Sequence, residues 1–204
     1  MPVVSEDHRA AQRARVLAAT LEVAGRKGLS RLAMSDIIAT SGMSAGAIYA
    51  YFAGKDDVVY ALAESLIGGR VDVLREAATE RPVPPPEEAY RRLFVGLPEG
   101  FVSDGVVLQI WAEGTANPRI RALARRAIED LHASAANYLQ AWLTHERGHP
   151  PAAAAALAEA TAPALVALAQ GFMVQGGLIE NVHATRLLPS IRAIAEAVAA
   201  SARA

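Results

Sequence analysis

The sequence contains no cysteine. That excludes disulfides, thiolate zinc sites, iron–sulfur clusters and cysteine nucleophiles together. Aromatic residues make up only 5% of the 204 positions, and no stretch shows the apolar/polar alternation of a strand. Neither sign of charge is in excess, with 20 Lys and Arg against 21 Asp and Glu, so the whole chain is no polycationic coat for nucleic acid. A phosphate-binding loop is missing, because Gly54-Lys55 lacks both the upstream glycine and a following Ser or Thr. A G-x-S-x-G nucleophile elbow is missing too. Paired acids such as Asp56-Asp57 and Glu87-Glu88 stand near expected helix starts, where the helix dipole accounts for them. No enzyme, cofactor or metal ligand set is expected. Met1 to Arg15 mixes Glu6, Asp7, Arg9 and Arg13 with no apolar run, which predicts a cytoplasmic protein.

What the chain has in quantity is alanine, 45 residues of it. Alanine loses no side-chain entropy in a helix and packs poorly on a pleated surface, so the expected fold class is all-α. Proline and glycine then divide the chain. Arg81-Pro82-Val83-Pro84-Pro85-Pro86 is the strongest break, and Pro86 suits a first helical position. Further turns are expected at Pro98-Glu99-Gly100, Asn117-Pro118, Gly148-His149-Pro150-Pro151 and Asn181-Val182-His183. About nine helices result, near 7–28, 34–41, 45–51, 55–79, 86–97, 102–115, 118–146, 151–179 and 185–203. Ala160 to Ile179 holds no charged residue over 20 positions, a bilayer-spanning length. Its glutamines, proline, glycines and weakly hydrophobic alanines point instead to a helix buried by protein on most sides, with no membrane partner.

Charge becomes informative when it is placed along the chain. Residues 1–55 carry seven basic against four acidic residues, leaving −4 for the remainder. The basic excess therefore lies beside the most distinctive local pattern. Residues 34–52 read Met-Ser-Asp-Ile-Ile-Ala-Thr-Ser-Gly-Met-Ser-Ala-Gly-Ala-Ile-Tyr-Ala-Tyr-Phe. Gly42 suits a left-handed helix end, and Ser44 suits an N-cap whose hydroxyl accepts from amides two or three residues on. Met43 is an apolar plug beneath the turn, while Ile37 and Ile48 anchor the inner faces. Two short helices joined this way make a helix–turn–helix, whose second helix enters the DNA major groove.

The stretch from about Arg13 to Leu62 resembles the DNA-binding domain of the tetracycline-repressor (TetR) family of bacterial regulators. The matching pieces are Val16-Leu17-Ala18-Ala19, Gly28, Met34-Ser35-Asp36-Ile37, Gly42-Met43-Ser44, Gly46-Ala47-Ile48-Tyr49, Tyr51-Phe52 and Lys55-Asp56-Asp57-Val58. The resemblance implies an N-terminal three-helix DNA-binding domain over 1–54 and a ligand-binding and dimerisation domain over 55–204, with helix 55–79 as connector. It implies backbone-phosphate contacts by Tyr49, Tyr51 and Lys55, a reading face of Ala45, Gly46 and Ala47, and Ser35 at the start of the supporting helix. Lys55 also opens a helix whose amides favour an anion. The competing reading makes the two tyrosines core aromatics with wet hydroxyls and Lys55 a solvated cap. Ala45, Gly46 and Ala47 offer no bidentate fork to a base. Sequence preference is then left to thymine methyls, Ser35, Ser44, backbone groups, Arg9 or DNA shape. Three positions depart from the family pattern. Ala33 replaces a capping Ser or Thr, Ile38 stands where a small residue is usual, and Gly54 replaces a frequent Ser.

Beyond residue 80 the resemblance is architectural. It implies that the last two long helices pair with their copies in a homodimer. Ala160, Ala164, Ala167 and Gly171 form a small-residue stripe, and Leu187, Ile191, Ile194 and Val198 an apolar one. Packing within one subunit would use the same stripes. The family also places a cavity for small, usually apolar molecules among these helices. The candidate pool is Tyr90, Phe94, Phe101, Trp111 and Phe172 with the polar Gln109, Glu113 and Gln175. The expected function is a ligand-responsive transcriptional regulator that binds a palindromic double-stranded DNA operator and is released from it by a small effector. A helical small-molecule binder with a degenerate DNA-binding unit is the alternative.

One motif argues for different chemistry. His145-Glu146-Arg147-Gly148-His149 matches the zinc-protease H-E-x-x-H signature. That signature needs both histidines on one continuous helix, and Gly148 with Pro150-Pro151 breaks the helix at the second. His132 and His183 are isolated.

Overall fold

The computed structural model describes residues 6–98, 100–179 and 186–201; the side chain of residue 67 is left aside. Those residues form α-helices and one short 3-10 turn, with no strand among them. The turn expected at Asn181–His183, and His183 with it, lies outside the described residues. The helices are α1 (Glu6–Lys27), α2 (Met34–Ser41), α3 (Ala45–Tyr49), α4 (Lys55–Thr79), α5 (Pro86–Phe94), α6 (Val106–Ala116), α7 (Pro118–His145), α8 (Pro151–Gly176) and α9 (Leu188–Ser201). A 3-10 turn, Leu29–Arg31, joins α1 to α2.

Prolines open three of these helices at the first position, where a missing N–H costs nothing. Asn117 caps α7, its side chain accepting from the Arg119 amide at 3.0 Å. Several boundaries differ from expectation. α5 ends at Phe94 because Val95 turns extended, and α6 waits until Val106 because residues 101–104 are occupied by turns.

The apolar core forms two clusters. One unites α1, α2 and α3 with the first half of α4, through Val16, Ile37, Ile48, Val58 and Leu62, and takes in Val106 and Ile110 of α6. The other unites the second half of α4 with α5, α7, α8 and α9, through Leu74, Tyr90, Leu139, Leu165 and Ile191. α4 belongs to both, so apolar packing runs unbroken through the expected boundary at residues 54 and 55. α7 packs along α8 and against α4, while α5 packs on α9.

α8 is long and apolar enough to cross a membrane by length and composition alone. It instead lies against α7, and Ala154, Ala158, Ala162, Leu165 and Val166 face the second core. The expectation that protein surrounds it on most sides is corrected, since only 28% of its most apolar window is buried. One face of α8 is open, because α7 and its lesser neighbours α5, α6 and α9 leave the stripe of Ala160, Ala164 and Ala167 uncovered.

Candidate DNA-reading unit and internal cavity

The α2–turn–α3 unit is built by local chemistry. Gly42 ends α2 at φ 64°, ψ 19°, and its amide donates to the Ile38 carbonyl at 3.2 Å. An L side chain is strained there, so glycine sets the angle at which the chain leaves. Ser44 caps α3, its Oγ accepting from the Ala47 amide at 3.2 Å. Met43, Ile37 and Ile48 are buried beneath. The Ala33 departure is offset from the other side of the turn. With no hydroxyl at Ala33, Asp36 still accepts from the Ala33 amide at 3.1 Å, half of a capping box. Lys27 at 2.5 Å holds the Asp36 carboxyl below its ordinary range, with help from the Ala33 amide. Ile38 is half-buried against the first core, so the crossing accommodates its bulk. Gly54 caps α4 without a side chain, and Asp57 accepts from the Ala53 amide at 3.1 Å nearby.

On the outer surface, Ser35, Ser44, Ala45, Gly46 and Tyr49 are exposed and Ala47 is half-exposed. Tyr49 keeps 52% of its surface accessible, against the reading of it as a core aromatic. Tyr51 is different: its ring is half-buried against the first core. Lys55 at the head of α4 donates to the Ser30 carbonyl at 3.1 Å. One of its three N–H groups is thus committed, and the ammonium is held beside the reading unit rather than swinging free. Arg13 stacks over Phe52 at 5.0 Å. Arg9 is exposed in the first turns of α1.

The second feature is a cavity of about 100 Å³ at the seam between the two cores. α4 contributes Ala63, Leu66, Arg70 and Leu74, spaced as one helical face, and α5 to α8 supply the other walls. Of the candidate pool, Tyr90, Phe94, Phe101 and Trp111 line it. Phe172, Gln109, Glu113 and Gln175 do not, and these four assignments are corrected. Phe172 packs edge-on against Phe94 at 4.8 Å and supports the wall from behind. Gln175 is exposed and Glu113 half-buried off the lining.

Gln109 does something that periodicity could not show. Its Oε1 accepts from the Leu29 amide at 2.6 Å, and its Nε2 donates to the Ala24 carbonyl at 3.5 Å, tying α6 to the end of α1. Nearby, Gly25 leaves room for the Asp104 side chain against α1, since a Cβ there would meet Asp104 Oδ2 at 2.7 Å. A second tie joins α7 to α4, where Arg119 donates to Asp57 at 2.5 Å and stacks over Tyr60 at 4.3 Å. That guanidinium holds the Asp57 carboxyl below its ordinary range.

The two proposed pairing stripes fare differently. On α8, Ala160, Ala164 and Ala167 are exposed and Gly171 half-exposed, and the face continues into Val174 and Leu178. On α9, Ile191 is fully buried in the second core and Ile194 packs against the same core. That stripe faces inward, so Ile191 is corrected from interface to core; Leu187 and Val198 are half-exposed. The H-E-x-x-H residues are dispersed. α7 ends at His145, whose Nε2 lies 3.0 Å from Arg81. Glu146 accepts from the Val83 amide at 2.9 Å, and buried His149 sits 3.0 Å from the Ala199 carbonyl. Each side chain ties a different pair of segments, and no cluster of three potential ligands occurs among the described residues.

Comparison with known proteins adds to this geometry. The model of bacterial regulatory proteins of the tetR family matches residues 16–62. An uncharacterized HTH-type transcriptional regulator of Bacillus subtilis (strain 168), YvdT, is 34% identical over 61 residues, 30% of this chain and 31% of that one. The match thus spans less than a third of that relative's length. Salmonella enterica GusR superposes with a TM-score of 0.67 at 18% identity, covering 96% of this chain and 97% of its own. A transcriptional regulator from Saccharomonospora viridis, solved in complex with choline, gives 0.67 at 22% identity, with 92% and 96% covered. At these identities the likeness to the solved structures is one of fold.

Proposed function

We propose that the chain, whose residues 16–62 match the model of the tetR family of bacterial regulatory proteins, is a regulator of that family, a ligand-responsive repressor acting as a homodimer in the cytoplasm. Its reading units would enter successive major grooves of a palindromic operator, half-sites about one DNA turn apart. Ser35, Ser44, Ala45, Gly46, Ala47 and Tyr49 would face the groove and its walls, with Tyr51, Lys55 and Arg9 toward the backbone. Ala45, Gly46 and Ala47 offer no bidentate fork for a base, so phosphate contacts dominate affinity and DNA shape contributes to choice of sequence.

One observation carries the ligand-responsive part. The connector α4 has Lys55 at its first residue and the cavity face Ala63, Leu66, Arg70 and Leu74 along its length. A molecule seated in the cavity presses on the element that begins at the reading unit. α6 reaches the same two places, lining the cavity with Val107, Ile110 and Trp111 while Gln109 grips α1. Effector binding then favours a dimer whose reading heads are spaced wrongly for the operator. A fold neighbour solved with choline supports small-molecule binding by this architecture. The division into residues 1–54 and 55–204 is kept as a functional one. The open face of α8, with Ala160, Ala164, Ala167 and Gly171, is the proposed pairing surface.

Selection of bound fragments from random duplex DNA tests the proposal. The expected product is an inverted repeat with half-sites about one turn apart. Failure to enrich any sequence, with a folded dimer, overturns the operator-binding reading.

A further inference from the structure

In a chain of 45 alanines, the connector α4 carries Gly68-Gly69 at its middle. Both stand in unbroken right-handed helix, and neither takes a positive φ. Both are exposed, and a Cβ built at either meets nothing within 4 Å. Neither backbone geometry nor packing within the subunit asks for glycine there. Gly25 and Gly176, by contrast, are held to glycine by their neighbours: a Cβ would meet Asp104 Oδ2 at 2.7 Å and Val102 Cγ1 at 2.6 Å. The α4 pair carries a cost. Relative to alanine each glycine weakens a helix roughly two- to fivefold, so the two together weaken it about five- to thirtyfold.

That weak point coincides with the changeover between the two cores. Val58, Leu62 and Leu66 of α4 belong to the first core, Leu74 and Ala77 to the second. Each half of the helix is also fastened separately. Asp57 is tied to Arg119 at 2.5 Å in the first half. In the second, Arg70 Nη1 donates to the carbonyls of Leu93 at 2.8 Å and Val95 at 3.0 Å, at the end of α5. The cavity touches both halves, with Ala63 and Leu66 before the pair and Arg70 and Leu74 after it. α8 crosses the same seam between Ala169, packed on the second core, and Met173, packed on the first. It too carries a glycine there, Gly171, with nothing within 4 Å of a Cβ. Gly171 has a use in the proposed pairing face as well, so the α4 pair is the clearer mark. Glycine is among the few causes of a sharp bend in a helix, and hinges are the residues that absorb the change of backbone angle. We propose that Gly68-Gly69 is a hinge at which α4 bends, so that the reading unit and the first core turn as one body against the second. Resting on the ligand-responsive reading, an occupant that touches both half-helices sets the angle between them and thereby the spacing of the reading heads.

Gly68→Ala combined with Gly69→Ala stiffens the pair, and the open space at both positions admits the two methyl groups. Hydrogen exchange of the full chain, read residue by residue by NMR without DNA or effector, tests the hinge alone. In the unaltered chain the amides of residues 69–73, whose helical bonds span the pair, should exchange at least about tenfold faster than those of 59–66 and 74–78. The double variant should slow the 69–73 amides about five- to thirtyfold and the flanking ones less than about twofold. Slowing spread evenly along α4, or no fast segment in the unaltered chain, overturns the hinge. Operator binding then reads its use. On the selected inverted repeat the double variant should bind within about threefold of the unaltered chain. With one base pair inserted between the half-sites it should lose at least about fivefold more affinity than the unaltered chain loses, because each head must tilt against a stiffer helix. Equal losses by the two proteins overturn the proposal. A dimer weakened by the double variant in sedimentation, with exchange unchanged, overturns it too and makes the pair a contact between copies. Localised fast exchange that alanine abolishes supports the hinge even where no operator is enriched, and the DNA-binding reading alone then falls.

Discussion

Replacing Gly171 by Glu separates the stability of the subunit from the stability of the proposed dimer. Gly171 stands mid-helix on the open face of α8, half-exposed, in line with exposed Ala160, Ala164 and Ala167. A Cβ built there meets nothing within 4 Å, so the isolated subunit has room for the new side chain. Helix propensity alone should stabilise the subunit, by up to about 0.5–1 kcal/mol, because glycine is the poorer helix former. Pairing of this face would place the carboxylate in an apolar interface with no cation opposite, and the twofold axis supplies a second copy. Burying an unpaired charge costs about 3–5 kcal/mol. That range converts to a dissociation constant raised by roughly two to three and a half powers of ten. Sedimentation velocity across micromolar concentrations should find a dimer for the unaltered chain and a monomer for Gly171→Glu, while circular dichroism shows unchanged helix content. A dimer of the variant within threefold of the original affinity would remove α8 from the interface. An unaltered chain that sediments as a monomer would end the dimer reading itself.

Four other outcomes follow from particular contacts. Lys55→Ala should weaken operator and scrambled duplex by similar factors and lower the salt slope by about one unit, whereas Tyr49→Phe should cost about 1 kcal/mol with the slope unchanged; both are read by titration at several salt concentrations. Gln109→Leu leaves the Leu29 amide unpaired and should destabilise the chain by about 1–3 kcal/mol in urea unfolding, a loss under 0.3 kcal/mol arguing against the α6–α1 tie. Ala33→Ser adds the missing hydroxyl at an N-cap that is already extended (φ −119°, ψ 154°) and should raise the melting temperature, by about 1 kcal/mol of stability at most. Arg91 and Arg92 hold the Glu88 carboxyl down to about 2 from its ordinary value of 4.5. A carboxyl lowered in the folded state contributes stability above pH 4.5 and loses it as the pH falls toward 2, so Glu88→Gln should flatten acid destabilisation in that window.

Features decided within a few residues of chain were open to reading from sequence alone. The left-handed Gly42, the Ser44 cap and the inward Ile37 and Ile48 depend on backbone sterics and on contacts three or four residues apart, so the helix–turn–helix is written in residues 34–52. Helix content followed from alanine, and helix starts followed from proline, for the same local reason. Pairing across the fold had no such signal. The Gln109 grip on Leu29 spans 80 residues of chain, and a glutamine in an apolar helix looks the same whether it meets a ligand or a neighbouring backbone. Core and interface both demand small or apolar side chains at helical spacing, so the stripes on α8 and α9 were equal candidates as sequence. Packing separated them: Ile191 turned onto α5 and α8 and was buried, while Ala160, Ala164 and Ala167 were left outside. The cavity was still less legible, since its walls come from five helices and exist only once α4 to α8 are packed. Periodicity determines that a helix has an apolar face; only the tertiary structure decides what that face meets, because the hydrophobic effect that buries it carries no direction of its own.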